Sequence, residues 1–224
     1  MNKTISFIKL DYITIKPYLT WRNLIIAVGL FLFMALSNKS LPVAIGTVLI
    51  FGALYMSFPF SVGEKNGIDS LYVTLSIDRA VVVSGRYLFA LTLDLCAGVI
   101  AYVLAFVASM ILKINFVFAE IGLMIIAIIL VYSIIQAFQL PIYFKLGYTK
   151  AKFVAYFPFL GLSFGVVGVS SLIKNMGVET DLNSVPEWIG KNSSLFLFIC
   201  IALWFAIIVI SYRLSVAFYR KREF

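Results

Sequence analysis

Histidine is absent from this 224-residue chain, and cysteine occurs only twice, at Cys96 and Cys200. Without an imidazole there is no Cys–His nucleophile pair and no His-bearing metal centre, which removes most metal-dependent membrane hydrolases. Both cysteines fall inside long apolar runs, which argues against a structural disulfide. Charge is scarce as well: Asp, Glu, Lys and Arg make up 12% of the residues, where a soluble domain carries about a quarter. Also missing are a G-x-x-x-x-G-K-[ST] loop to cradle phosphates, a G-x-S-x-G elbow, and any pair of carboxylates within one apolar run. The chain is therefore read as no enzyme by itself, with no catalytic residue, no metal and no cofactor of its own. No Pro- or Ser-rich linker, low-complexity tract or convincing repeat divides it, so residues 1–224 are read as one domain.

What fills the chain is hydrocarbon. Hydrophobic residues account for 62% of it and the mean hydropathy is +1.05, the signature of a polytopic membrane protein. A helix needs about 20 mostly apolar residues to cross the bilayer core. Charge-free windows run Asn23–Asn38, Ser40–Gly63, Ile121–Phe144, Phe153–Ile173 and Asn192–Tyr212, and Tyr87–Leu112 is interrupted only by Asp94. These predict six transmembrane helices, at about 22–38, 41–62, 87–112, 118–142, 153–173 and 193–213. The windows lack the period-2 alternation of a barrel, and a lipid-exposed backbone must satisfy its own hydrogen bonds, so the fold class is all-α. The first span is short, with Arg22 and Lys39 expected to snorkel and Trp21 to sit at the interface. A cleaved signal peptide over Leu24–Leu36 is disfavoured by the long basic stretch that precedes it.

Orientation follows from the basic residues. Fourteen of the 18 Lys and Arg fall before the first span, between spans two and three, between spans four and five, or after the sixth. The positive-inside rule then places both termini in the cytoplasm of a multi-pass protein of the plasma membrane. The net charge of +8 reads as this topological signal, with some attraction to anionic headgroups, and not as a nucleic-acid face.

Four features stand out against the spans. In residues 1–21, Ile5, Ile8, Tyr12, Ile15 and Leu19 recur at helical spacing while Lys3, Lys9, Asp11 and Lys16 fall elsewhere. That pattern predicts an amphipathic helix in the headgroup plane, or a plain anchor leading into the first span. Between spans two and three, Glu64-Lys65-Asn66-Gly67 reads as a turn. Asp69 then reads as an N-cap, and Ile68, Leu71, Tyr72 and Leu75 share one helical face closed by Asp78 and Arg79. Such a face either docks into a groove of another protein or rests on lipid. Asp94, within the third span, is costly at hydrocarbon depth. It faces a substrate path or is held by a packing contact with Arg86, Gln136 or Gln139. The loop Lys174–Lys191, with Glu179, Asp181, Glu187 and Trp188, is an outer connector or a small cap.

Glu64-Lys65, then Leu71-Tyr72-x-x-Leu75-x-x-x-Arg79, then Val83-x-x-Arg86-Tyr87-Leu88 resembles the signature after the second span of ABC-2 type permeases, the membrane subunits of ATP-binding-cassette exporters. The span count, the amphipathic first helix and the basic tail are similar to that family too. Within it, the chain looks most like permeases for amphipathic cytolytic peptides of the phenol-soluble modulin type, while related permeases serve antimicrobial-peptide resistance or lipid and drug export. The resemblance implies that Asp69 to Arg79 is a coupling helix seated in a separate ATPase subunit, which holds the ATP and Mg. It implies that Glu64, Lys65, Arg79 and Arg86 clamp that helix, that Leu71, Tyr72 and Leu75 form its buried contact, and that a second ABC-2 type membrane subunit completes the path. Ser76 stands where relatives often carry Pro, which predicts a less sharply defined helix end. An ATP-independent secondary transporter and an immunity protein are the rival readings.

Overall fold

The computed structural model describes residues 3–38, 41–113, 116–154, 157 and 193–222. Every regular element among them is a helix. They are α1 (Lys3–Ile15), a 3-10 turn (Lys16–Tyr18), α2 (Trp21–Asn38), α3 (Leu41–Tyr55), α4 (Phe58–Lys65), α5 (Ile68–Thr74), α6 (Arg79–Leu112), α7 (Phe118–Leu146), α8 (Tyr148–Val154) and α9 (Ser193–Lys221).

Among the described residues four stretches are long and apolar enough to cross a membrane: Leu41–Lys65, Arg79–Leu112, Phe118–Leu146 and Phe198–Lys221. Ser6–Tyr18 and Trp21–Ser37, bent by 82° at their junction, pass the same test only as a broken pair. Four spans, or five with that pair, thus stand where six are expected. The fifth expected span, 153–173, and the loop 174–191 lie outside the described residues, apart from the start of that span in α8 and Phe157. The short first span that the sequence predicts falls on α2, whose 18 residues rise about 27 Å at 1.5 Å each. The sharp bend lays α1 across one end of the bundle, nearly at right angles to α2.

The third span begins earlier than expected. Asp78 is extended and its carboxylate accepts from the Ala80 amide at 2.9 Å, so it caps the start of α6 and does not close the preceding helix. At 34 residues α6 is about 51 Å long, well beyond a hydrocarbon core of about 30 Å. Its first turns, with Arg79 and Arg86, therefore extend past the apolar layer at the end where α1 lies.

Two apolar cores stack along the bundle. The one near α1 is aromatic, built from Phe60, Tyr72, Tyr87, Phe89, Tyr143, Phe144 and Tyr219 with Ile15 and Met56. The other is made of small and branched residues. There Ala97, Ala101, Ala105 and Ala108 line one stripe of α6 and let α3 approach closely, the small-residue packing used between helices in lipid. Within the bundle α3 packs chiefly on α6 and α2, while α9 packs chiefly on α7.

The second span breaks at Met56–Ser57 and resumes with Pro59 in the first turn of α4. Pro141 lies inside α7, where it removes one backbone donor.

Candidate functional site

The site is the segment from α4 to the first turns of α6, together with what holds it. Gly67, at φ +61, turns the chain from α4 into α5. Ser76, at φ +52, ends α5: the Ile77 amide reaches back to the Tyr72 carbonyl at 3.0 Å, and the Leu75 amide to the Leu71 carbonyl at 3.0 Å. This is a left-handed helix stop of the Schellman type. The helix end is therefore sharply defined, contrary to the expectation drawn from Ser76. A proline, locked near φ −65°, could not adopt this turn.

The apolar face expected over Ile68, Leu71, Tyr72 and Leu75 is divided. Tyr72 is 7% exposed and turned inward, its ring meeting Phe7 of α1 edge-to-face at 5.2 Å, and Ile68 packs on the same core. Leu71 and Leu75 are 53% and 60% exposed. Seven residues make barely two turns, so a helix of this length presents one side to its own chain and the other outward.

Asp69 is not an N-cap. It lies in the first turn of α5, and its carboxylate accepts from the Tyr219 hydroxyl at 3.0 Å and pairs with Arg222 at 3.8 Å. Glu64 accepts from the Thr149 amide at 3.0 Å, at the start of α8. Between them Gly147 is held at φ +76, and a Cβ there would fall 2.7 Å from Arg222 Nη2 and 2.9 Å from Glu64 Oε2. Only glycine fits that turn without strain. Lys65, in the last turn of α4, is exposed.

Arg79 reaches across to the last helix. Its Nη1 donates to the carbonyls of Tyr219, Arg220 and Arg222 at 2.7, 2.6 and 3.2 Å. Carbonyls at a helix C-terminus lack partners within the helix, and a cation there also suits the helix dipole.

Arg86 sits at the centre. It is 5% exposed, its Nε is 3.2 Å from Asp11 Oδ2, and its guanidinium lies 4.5 Å from the centre of the Phe60 ring. Burial pushes the Asp11 carboxyl up to about 6, while Arg86 beside it pulls the other way. One side chain thus ties α1, α4 and α6 together.

This corrects the reading of the first helix. Asp11, expected on the polar side, is 2% exposed, whereas Tyr12 and Leu19, expected on the apolar side, are 52% and 44% exposed. The inward face is Phe7, Ile8, Asp11 and Ile15, rotated by about one residue because a buried guanidinium demands a counter-charge. Gly85 makes the docking possible: a Cβ there would sit 2.7 Å from Phe7 Cβ. No sequence signal singled out Phe7, Gly85, Tyr219 or Arg222. Asp11 is the one acid between Lys9 and Lys16, with apolar residues four positions away on either side, and that pattern could have marked it.

Asp94 lies deeper in α6. It is 1% exposed and accepts from Gln136 Nε2 of α7 at 2.8 Å, one of the partners expected for it. Arg86, two turns away and already paired with Asp11, does not reach it. An apolar groove of about 310 Å³ runs between α2, α3 and α6, lined by Leu24, Val28, Phe51, Leu93, Cys96 and Ile100. Asp94 is turned away from it toward α7.

No group of three or more Cys, Asp or Glu among the described residues is placed to hold a metal ion. The site offers instead an outward apolar pair on a helix held from behind by α1 through Phe7 and by the end of α9 through Tyr219 and Arg222. Over residues 6–220 the chain matches the family described as ABC-2 family transporter protein. It belongs to that family. No curated protein and no solved structure matches it. As an ABC-2 family protein the chain is a membrane permease of an ABC transporter, the component that works with an ABC ATPase partner in the bilayer.

Proposed function

We propose that this permease is the membrane half of an ATP-driven exporter, with α5 as the coupling helix and Leu71 and Leu75 as the pair that enters a groove of the ATPase. The observation that carries the reading is the division of α5. Its inner side is fixed by Tyr72 and Asp69, while two large aliphatic side chains on a helix rimmed by charge are left outward. A free lipid-resting helix has no need of such a rigid back. A docked helix has, because displacement is transmitted only through a part that does not yield.

In this reading the α1 end of the bundle faces the cytoplasm, as the concentration of Lys and Arg there supports. ATP and Mg bind the partner, and a nucleotide drives the permease only through different affinities for its inward and outward arrangements. A second ABC-2 type membrane subunit completes the path. The cargo is an amphipathic peptide, a reading supported by the resemblance and by the apolar groove between α2, α3 and α6. Asp94 serves as an interhelical packing contact, in keeping with its bond to Gln136.

The test is a pull-down from the native membrane in mild detergent, with mass spectrometry of what is retained. The wild-type chain is expected to hold a near-stoichiometric subunit carrying a phosphate-binding loop. Leu71→Asp combined with Leu75→Asp is expected to insert normally and to lose that subunit. Normal co-purification of the double variant would overturn the assignment of α5.

A further inference from the structure

The coupling segment is covalently continuous with α4 and α6 alone, yet its strongest polar ties run to the opposite layer. Glu64 bonds the first turn of α8 through Thr149, and Asp69 bonds Tyr219 and pairs with Arg222 at the end of α9. Arg79, the first residue of α6, spans three terminal carbonyls of α9 at 2.6 to 3.2 Å. The α9 helix packs chiefly on α7, from which α8 continues. Without these ties, a push on α5 would be delivered to α3 and α6 and reach α7 and α9 only through side-chain packing along the bundle.

Resting on the exporter reading, we propose that Arg79 is a positioning residue that bolts the coupling segment to the end of α9. The α7–α8–α9 layer then moves with α5 as one body when nucleotide closes the ATPase. Arg79 is singled out among the three ties because one guanidinium nitrogen bonds three backbone carbonyls at the end of α9, and those atoms cannot follow a hinge independently of the helix. Tyr219 reinforces the bolt. It is 1% exposed, its ring meets Phe144 of α7 at 5.2 Å, and its hydroxyl donates to Asp69. A load on α5 thereby enters α9 and α7 at the same point.

The test uses the whole permease with its ATPase in nanodiscs, with Cys96 and Cys200 replaced by serine and spin labels at Thr74 and Ala217, both exposed. The probe is ATP with vanadate, which traps the closed ATPase and requires no cargo. In the otherwise unaltered chain the distance between the labels is expected to stay the same with and without trapping. In Arg79→Ala it is expected to shift on trapping, with ATPase still bound. Arg79→Lys, which keeps the charge and loses the planar fork, and Tyr219→Phe, which removes the hydroxyl that bonds Asp69, are read the same way with smaller shifts expected. They decide the matter if the alanine variant does not assemble. A distance that changes on trapping in the unaltered chain, or that stays constant in every variant, would overturn the bolt and leave the exporter reading intact. A wild-type chain that holds no ATPase would overturn the exporter reading, and the bolt with it.

Discussion

Arg86 Nε lies 3.2 Å from Asp11 Oδ2, and the two side chains are 5% and 3% exposed. Asp11 is on the helix that crosses the end of the bundle, and Arg86 is two turns into the longest helix among the described residues. The pair is therefore the electrostatic link between α1 and α6. The contact is an ion pair without the alignment of a full hydrogen bond, since Asp11 Oδ2 and Arg86 Nη1 have no hydrogen-bond partner among the described residues.

Arg86→Met is expected to cost about 3–5 kcal/mol, because it leaves a buried carboxylate without its counter-charge. Methionine keeps the contact with the Phe60 ring, so the loss reports the charge. Adding Asp11→Leu is expected to restore most of the stability, as replacement of a whole buried pair by apolar groups commonly does. Thermal unfolding of the three variants in one detergent checks this. A double variant no more stable than Arg86→Met would show that Arg86 acts through something other than Asp11.

The docking of α1 also depends on the missing side chain at position 85. Since a Cβ there would stand 2.7 Å from Phe7 Cβ, Gly85→Ala is expected to push α1 outward at a cost of about 1–3 kcal/mol, the usual range for overpacking. Hydrogen exchange of the α1 amides is expected to rise while that of α7 is unchanged. Unaltered protection of α1 would show that the helix is not seated on Gly85.

These two contacts also show where the sequence stops being legible. The spans can be read because the cost of charge in hydrocarbon is paid residue by residue, so charge-free windows such as 121–144 and 192–212 mark helices without knowledge of their neighbours. The outward pair Leu71 and Leu75 was legible as apolar residues at helical spacing between turns. Asp11 and Tyr72 were misplaced because their burial is set by side chains distant in the chain, Arg86 and Phe7, and no periodicity encodes that. Asp78 was read as closing a helix that it does not close, and Asp69 as an N-cap, because both residues are sound N-caps locally. Asp69 is engaged instead by Tyr219 and Arg222, about 150 residues away, a contact that no local pattern encodes.

Pro141 sits inside α7 and has no N–H, so the carbonyl four residues earlier, that of Ala137, loses its helical donor. The Ser211 hydroxyl of α9 donates to that carbonyl, and the Tyr87 hydroxyl of α6 bonds both Ser211 and Ser215. Ser211, Ala137 and Tyr87 are all buried, so a serine on the neighbouring helix completes what the proline interrupts. Ser211→Ala is expected to cost about 1–3 kcal/mol, the range for a buried polar group left unpaired. In a Pro141→Ala background the helix recovers its own amide at position 141, and the cost of Ser211→Ala is expected to shrink. The loss of the Tyr87 contact is common to both backgrounds and cancels, so the cycle isolates the carbonyl. Denaturant unfolding of the four chains in mixed micelles reads the difference. An equal cost in both backgrounds would mean that Ser211 serves Tyr87 alone and that the Ala137 carbonyl is satisfied in some other way.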